Sequence, residues 1–187
     1  FPNGSYARMT DSGIADLFAF MKTLPASAVQ GGEHELGFPF SIRRLVGGWK
    51  LFYFNDKPRV TLANPDPQLV RGQYLVEGPG HCGECHTPRD MLGGFRSGEW
   101  LAGASNPEGK GIIPNITPGG KDISGWSASD IAGYLESGFT PDFDTAGGSM
   151  VEVVKNMAHL EASDREAIAA YLKAIPARDN GYPAATN

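Results

Sequence analysis

The sequence predicts an all-α fold whose helices are joined by long loops rich in glycine and proline. Apolar residues recur at helical spacing in several segments, and no stretch alternates convincingly between apolar and polar residues as a half-buried strand would. The 187 residues include 25 glycines and 14 prolines, which indicates much irregular backbone. A hydrophobic content of 41% is enough for a packed core and excludes a disordered chain. At this length we expect one domain with additional segments, or two small domains.

The first predicted helix runs from Thr10 to Leu24 and stops at Pro25. Thr10 can cap the helix by accepting a hydrogen bond from an unpaired amide of the first turn, and the Asp11 carboxylate suits the positive end of the helix dipole. An apolar stripe follows at intervals of three and four residues, formed by Ile14, Leu17, Phe18 and Met21.

A second helical pattern begins at about Ser41, and its apolar residues share one face: Ile42, Leu45, Val46, Trp49 and Phe52. The stretch 55–68 contains three prolines and predicts an extended linker. A third helix is predicted over residues 67–77. Because Gly72 within it weakens helix propensity, we expect this glycine to permit a close crossing with another helix.

Two helices follow a glycine- and proline-rich stretch that extends to residue 125. The first begins at the polar run Ser127 to Asp130 and ends at Gly138, and the second covers residues 150–157. In the last predicted helix, Ser163 caps the first turn and Glu166 completes a capping box. Its apolar stripe is formed by Ile168, Tyr171, Leu172 and Ile175.

The first and last helices form an internal repeat. Residues 16–25 superpose on residues 167–176, and each segment has lysine in its last turn followed by proline, with a methionine, Met9 or Met150, preceding the helix. Two amphipathic helices can resemble each other by chance. The alternative that we favour is that residues 1–25 are the C-terminal helix of a preceding domain of the same type.

Charge and hydropathy exclude two classes of protein. The net charge of −5 and the isoelectric point of about 5.3 argue against a nucleic-acid binder, since that role needs a basic surface. No run of about 18 apolar residues is present, so no segment of this sequence is predicted to span a bilayer. No signal peptide is visible, and the start of the sequence indicates a mature or trimmed product.

The segment from His81 to His86 contains the motif C-x-x-C-H, formed by Cys82, Cys85 and His86. Two thiols one helical turn apart can add across the two vinyl groups of a haem, and the adjacent histidine is then held beneath the iron as its proximal ligand. A zinc site made of these residues and His81 is disfavoured because four ligands so close in sequence cannot readily close a tetrahedron. A thioredoxin-like dithiol needs a βαβ surround, which the sequence lacks. We therefore predict one covalently bound haem c.

Met150 is the predicted distal ligand of that iron. It follows a run of small residues, which lets the backbone approach a flat ligand closely, and methionine is the usual partner of the histidine in cytochromes c. Met91 lies too close in sequence to the proximal histidine to reach the opposite face, and Met157 is expected in the core. His159 and His81 are further candidates. Met9 is an ordinary apolar residue at a helix start, or the distal ligand of a haem attached outside this sequence.

The segment from Arg71 to Pro176 resembles a class I cytochrome c domain, in particular those of the multi-haem cytochrome subunits that accept electrons from periplasmic alcohol, aldehyde and related dehydrogenases. The matching text is RGQYLV at 71–76, HCGECHTPR at 81–89, PNITP at 114–118, WS at 126–127, MVEVV at 150–154 and DREAIAAYL at 164–172. The similar proteins carry two or three attachment motifs, whereas this sequence has one.

The resemblance implies a cytochrome c-like fold around one haem over residues 69–177. Residues 26–68 would then form a helical connector and linker, and residues 178–187 a C-terminal tail. Gly72 and Tyr74 would cross the last helix near Tyr171 and Leu172.

The resemblance also implies roles for individual residues. The Pro114 carbonyl would accept the proton on the His86 nitrogen that faces away from the iron, which fixes the ring and strengthens its donation. Arg89 and Trp126 would contact the haem propionates. The haem edge would be lined by Asn115, Ile116 and Thr117, and the pocket walled by Leu92, Leu101 and Ile113.

Filled axial positions leave the iron no open site for a substrate, so we expect electron transfer. The resemblance implies a periplasmic carrier or subunit that takes electrons from a dehydrogenase and passes them to a downstream cytochrome or oxidase. Its membrane association would require a partner or a segment outside this sequence. The alternative is a haem enzyme with an open or labile distal site that acts on a small inorganic or organic substrate.

Overall fold

The computed structural model describes residues 3–29, 31–106, 109, 111–121 and 123–182, and it confirms the predicted all-α class. Two short strands, β1 (Ala104–Ser105) and β2 (Ile112–Ile113), pair antiparallel with Ala104 opposite Ile113. The α-helices are α1 (Asn3–Tyr6), α2 (Asp11–Met21), α3 (Arg43–Tyr53), α4 (Pro67–Glu77), α5 (Gly83–His86), α6 (Ala128–Ser137), α7 (Met150–Met157) and α8 (Ala162–Ala174). None of the helices in these ranges has both the length and the apolar composition that a membrane span requires.

Local sequence signals account for where some of the helices begin and end. Thr10 caps α2 by accepting a hydrogen bond from the Gly13 amide at 3.1 Å. Ser127 and Asp130 form a reciprocal capping box at the start of α6, which ends at Gly138 in the left-handed conformation with φ of 78°. The second predicted helix is α3, although none of its residues is fully buried.

The predicted cap of α8 was wrong. The helix begins at Ala162 with Glu161 in the cap position, and no side chain caps it, so Ser163 lies inside the first turn. The amides of Asp164 and Arg165 both donate to the Glu161 carbonyl, at 3.0 and 3.3 Å. The backbone therefore starts the helix two residues earlier than the sequence pattern indicates.

The core of the molecule is the crossing of α4 and α8, as predicted, with α6 packed against α8. Gly72 lies at the contact point: a Cβ added there would lie 2.0 Å from the Ala167 carbonyl oxygen and 2.8 Å from the Tyr171 Cβ. Tyr171 and Leu172 are 0% and 5% exposed. The absence of a side chain at Gly72 is what allows the two helices to pack this closely.

Replacing Gly72 with alanine is expected to destabilise the protein by about 1–3 kcal/mol or more, because the added methyl group displaces backbone rather than a flexible side chain. Gly133→Ala in α6 is the matched control, since a Cβ there meets nothing within 4 Å. That change should stabilise the helix by up to about 1 kcal/mol. Denaturant unfolding of both variants measures the difference, and equal stabilisation of the two would contradict the close crossing.

A buried carboxylate joins the linker to the two crossing helices. Glu77, at the end of α4, is 1% exposed. It accepts hydrogen bonds from the Arg59 amide at 2.6 Å, the Gln73 side chain at 3.0 Å and the Tyr171 hydroxyl at 2.6 Å. The Arg8 Nε lies 3.7 Å away. Burial and the Glu77 charge raise the pKa of Tyr171 well above its ordinary value, which keeps the hydroxyl a donor. These partners allow a charge to be buried.

Two segments outside the crossing are tied to it by specific bonds. Helix α3 contacts the loop after α5 through the Trp49 Nε1, which donates to the Leu92 carbonyl at 2.8 Å, and the Tyr53 hydroxyl, which donates to Asp90 at 2.8 Å. In the expected C-terminal tail, the Gly181 amide donates to the Ala102 carbonyl at 2.8 Å. Residues 183–187 of that tail, and residues 1 and 2 of the first segment, lie outside the described residues.

Candidate haem-binding site

The C-x-x-C-H motif forms a single helical turn, residues 82–86, directly after α4; we refer to it as the attachment turn. The amides of Gly80 and Cys82 donate to the carbonyls of Leu75 and Val76 at 2.8 and 3.2 Å, which joins the turn to the end of α4. The His86 amide donates to the Cys82 carbonyl at 3.0 Å and closes the helical turn. Both cysteines and the histidine are thus held on one rigid element.

A tryptophan that sequence analysis did not single out packs against the attachment turn. Trp100 is 3% exposed, and a Cβ added at Gly83 would lie 2.1 Å from its ring. The Phe95 ring meets Trp100 edge to face, with 5.9 Å between the ring centroids. Position 83, the first of the two positions between the cysteines, must therefore hold a small residue, and Trp100 fixes the position of the turn.

Neither cysteine forms a disulfide: Cys82 is partly buried and Cys85 is exposed. Burial raises the pKa of the Cys82 thiol to about 11. Among the residues that the structure describes, no three histidine, cysteine or acidic side chains group as a metal site would need. This arrangement of the described residues disfavours the zinc alternative that used His81, Cys82, Cys85 and His86.

The His86 imidazole is buried, with 9% of the residue exposed. Its Nδ1 lies 2.8 Å from the Pro114 carbonyl oxygen. Because a carbonyl can only accept, Nδ1 must donate, and Nε2 is the nitrogen left to bind a metal. Burial lowers the pKa of His86, and the hydrogen bond to Pro114 acts in the opposite direction.

The residues after Pro114 have most of their polar atoms bonded within the protein. Asn115 and Thr117 are fully buried. The Asn115 Oδ1 accepts from the Thr117 amide and hydroxyl at 2.9 and 2.8 Å, and its Nδ2 donates to the Arg178 carbonyl at 2.9 Å. These two residues, predicted at the haem edge, thus bond to the C-terminal segment. The Ile116 amide donates to the carbonyl of Leu101, a fully buried residue, at 3.0 Å.

The other predicted pocket residues have different surroundings in the structure. The Arg89 guanidinium pairs with Glu84 of the attachment turn at 2.5 Å and lies 4.4 Å from the centroid of the Phe95 ring. Trp126 packs against the core and meets the Tyr134 ring edge to face at 5.4 Å. Leu92 is 67% exposed on the loop that α3 contacts. Of the three, Arg89 is the residue bonded to the attachment turn.

Met150 is the first residue of α7 and is partly buried against the core. A buried arginine holds the turn between α7 and α8: Arg165 donates to the carbonyls of Ala158 and Leu160 and pairs with Glu136 of α6 at 2.9 Å. Met157, at the other end of α7, also packs against the core, whereas Met91 is fully exposed. Helix α7, and with it Met150, therefore has a defined position.

The residues present fit a haem. The donor set comprises two thiols on one turn, a buried imidazole with one nitrogen left for a metal, and a thioether on a separate helix. The loop that leads to Met150 adds uncovered apolar surface, since Phe139 and Phe143 are 55% and 89% exposed. Sequence analysis missed both phenylalanines, because a loop has no periodicity to mark them.

No model of a known protein family matches the chain. It is 54% identical over 177 residues to the "Diheme cytochrome c-type" protein of Cereibacter sphaeroides, a match that covers 95% of this chain and 58% of that protein. It is 36% identical to the fructose dehydrogenase cytochrome subunit of Gluconobacter japonicus and 34% identical to the cytochrome c subunit of alcohol dehydrogenase (quinone) of Gluconobacter oxydans. Those matches cover 95% and 96% of this chain, but 37% and 39% of the relatives.

These comparisons confirm the resemblance to dehydrogenase cytochrome subunits, and they correct the predicted cofactor. The expectation of one haem was wrong, since a relative with 54% identity is named a diheme protein. The chain spans 58% of that relative. The single C-x-x-C-H motif of this chain therefore does not give the number of haems in a protein of the relative's full length.

Proposed function

We propose that this chain is a c-type cytochrome like the cytochrome subunits of dehydrogenases to which it is similar, and that it transfers single electrons from a dehydrogenase to a downstream cytochrome or oxidase. The observation that carries this proposal is the buried His86 imidazole, which follows two cysteines on one turn and has its Nδ1 bonded to the Pro114 carbonyl. Only Nε2 is then available to a metal.

In this proposal, Cys82 and Cys85 would hold a haem through thioether bonds, and His86 and Met150 would bind its iron. A haem bound here supplies a reversible one-electron couple at iron. The Pro114 carbonyl keeps the His86 ring in place and increases the basicity of Nε2. If both His86 and Met150 held the iron, the protein would leave no position on it for a substrate.

The surrounding residues would set the polarity of the site. We propose Arg89 and Trp126 as partners of the propionates. The segment of Asn115, Ile116 and Thr117 would line the haem edge, and Leu92, Leu101 and Ile113 would form an apolar wall. The role of Arg89 requires its guanidinium to bond a propionate together with, or in place of, Glu84. Exclusion of water by the apolar wall favours the reduced, less charged iron.

Electrons would enter or leave at the side of Cys85, which is exposed, whereas Cys82 is partly buried. A partner that docks there would approach the haem edge without any movement of the core. We place the protein in the periplasm, because covalent attachment of haem c needs reduced thiols and machinery on the outer side of the membrane.

The ferric optical spectrum of the haem-loaded protein tests the proposal. We expect a low-spin spectrum with a methionine–sulfur charge-transfer band, and a sharp α-peak when a dehydrogenase and its substrate reduce the protein. A high-spin ferric spectrum would instead favour a haem enzyme with an open distal site. A colourless purified protein would contradict haem binding altogether.

A further inference from the structure

A cleft of about 390 Å³ opens between α3 and the attachment turn. Cys85, the exposed cysteine of that turn, lies on its lining. Neither His86 nor Met150 lines the cleft, so it is separate from the proposed iron ligands. Its volume lies within the range of sites that bind small molecules.

The walls of the cleft are aromatic and held in place. Four rings line it: Trp49, Tyr53, Phe54 and Phe95. The first two stack with 4.9 Å between their centroids, and both side chains donate hydrogen bonds to the loop after α5. A Cβ added at Gly94 of that loop would lie 1.9 Å from the Tyr53 ring. The cleft therefore presents fixed, flat surfaces against which a planar ring can pack.

Arg59 contributes a positive charge to the lining. Its guanidinium carbon lies 5.1 Å from the centroid of the Phe95 ring and 5.5 Å from that of the Trp100 ring, which orients the group. Among the described residues, no carboxylate forms an ion pair with Arg59, and its Nε is buried without a hydrogen-bond partner. Burial, followed by the charge of Arg8, lowers the pKa of Arg59. An anion in the cleft would supply the missing partner.

The other charged side chains around the cleft do not supply it. Glu84 is the acidic residue of the described lining, and its carboxylate pairs with Arg89 at 2.5 Å and accepts from the Ser5 hydroxyl at 2.9 Å. Lys50 adds a second positive charge beside the cleft, since its Nζ lies 5.9 Å from the centroid of the Phe54 ring. The uncompensated charge is therefore positive, and the cleft favours an anion.

We propose that this cleft binds a small aromatic carboxylate, whose ring packs against the aromatic walls and whose carboxylate accepts hydrogen bonds from Arg59. A guanidinium can donate two parallel N–H bonds to one carboxylate, which makes the pairing specific. Because Cys85 is part of the lining, the ligand would lie against the exposed side of the attachment turn. The site goes beyond the proposed function, and only its closeness to a haem rests on that function.

Calorimetric titration of the haem-loaded protein with benzoate tests the site. We expect benzoate to bind, and Arg59→Gln to weaken its binding at least ~10-fold through the loss of charge-assisted hydrogen bonds. Arg96→Gln is the matched control: it removes the same charge from an arginine that pairs with Glu99 outside the cleft, and should leave the affinity unchanged. Benzyl alcohol, which has the ring without the carboxylate, should bind at least ~10-fold more weakly than benzoate.

A second pair of variants keeps Arg59 and its packing intact. Phe54 is 43% exposed and lines the cleft, whereas Phe52 is 84% exposed on the same helix and does not. Phe54→Asp should weaken benzoate binding at least ~10-fold, because it removes part of a wall and adds a like charge. Phe52→Asp should have no effect. In the NMR spectrum of the reduced protein, benzoate should shift the indole N–H resonance of Trp49 and leave that of Trp126, which packs against the core, unchanged.

Other outcomes would overturn the site. Benzoate affinity that is the same in the unaltered protein, Arg59→Gln and Phe54→Asp would show that the cleft does not bind it. An acidic side chain of a docking dehydrogenase is the other source of the same chemistry. If benzoate failed to bind, and Arg59→Gln but not Arg96→Gln slowed reduction of the haem by the dehydrogenase, a protein contact would replace the small-ligand site. The ferric spectrum of the haem does not involve Arg59, so failure of this inference is distinguishable from failure of the proposed function.

Discussion

Replacing both Cys82 and Cys85 with alanine is expected to yield a protein from which acid–acetone extraction removes the haem bound at His86. The physical reason is that in the proposed site the two thioether bonds would be the covalent links, and the remaining contacts would be coordination and apolar packing, which acid and organic solvent disrupt. The haem absorbance of the precipitated protein before and after extraction is the measurement.

Each single cysteine variant is the matched control, because one thioether bond remains. Cys82→Ala and Cys85→Ala should keep their haem through extraction, with altered α-peak positions since one vinyl group stays unsaturated. Haem retained at this site by the double variant would show attachment through a different residue. Haem lost from the unaltered protein would show that binding is not covalent.

Replacing Met150 with alanine is expected to lower the reduction potential of the haem bound at His86 by about 0.1–0.3 V, a fraction of the roughly 0.8 V that axial ligands span. A thioether sulfur stabilises ferrous iron, whereas the water or hydroxide that replaces it favours the ferric state. The same change opens the iron to cyanide. Potentiometric titration and cyanide titration of the ferric protein measure the two effects.

Met157→Ala provides the control within the same helix. Met157 packs against the core at the other end of α7, so its removal should reduce stability through lost packing. The reduction potential and the methionine–sulfur band should stay close to those of the unaltered protein. If Met157→Ala shifted the potential and Met150→Ala did not, the assignment of the distal ligand would have to be changed.

Sequence analysis located the helices well because caps, stop signals and apolar periodicity act within a few residues. Thr10 and the Ser127–Asp130 capping box are examples in which a side chain bonds to an amide of its own helix. The same kind of local pattern placed the cap of α8 at Ser163, which was wrong. The backbone at Glu161 starts that helix two residues earlier, and a sequence pattern does not decide between two starting points that lie so close together.

Several features of the site depend on residues far apart in the chain, which sequence patterns do not pair. Glu77 is buried because Tyr171, 94 residues away, and the Arg59 amide bond to its carboxylate. Asn115 and Thr117 follow Pro114 closely in the sequence. In the structure, Asn115 also bonds to Arg178, 63 residues later, a partner that no sequence pattern marks. Trp100 and the exposed phenylalanines had no motif to mark them.

The sequence by itself determined the all-α class and the attachment motif, since both follow from spacing over one or a few helical turns. Only the tertiary structure decided which atoms surround the buried imidazole and which apolar faces are covered. A buried polar group must find its partner in space, and the Pro114 carbonyl lies 28 residues beyond His86. The exposure of the apolar side chains on α2 is likewise a property of packing, because the same apolar pattern is buried in α8.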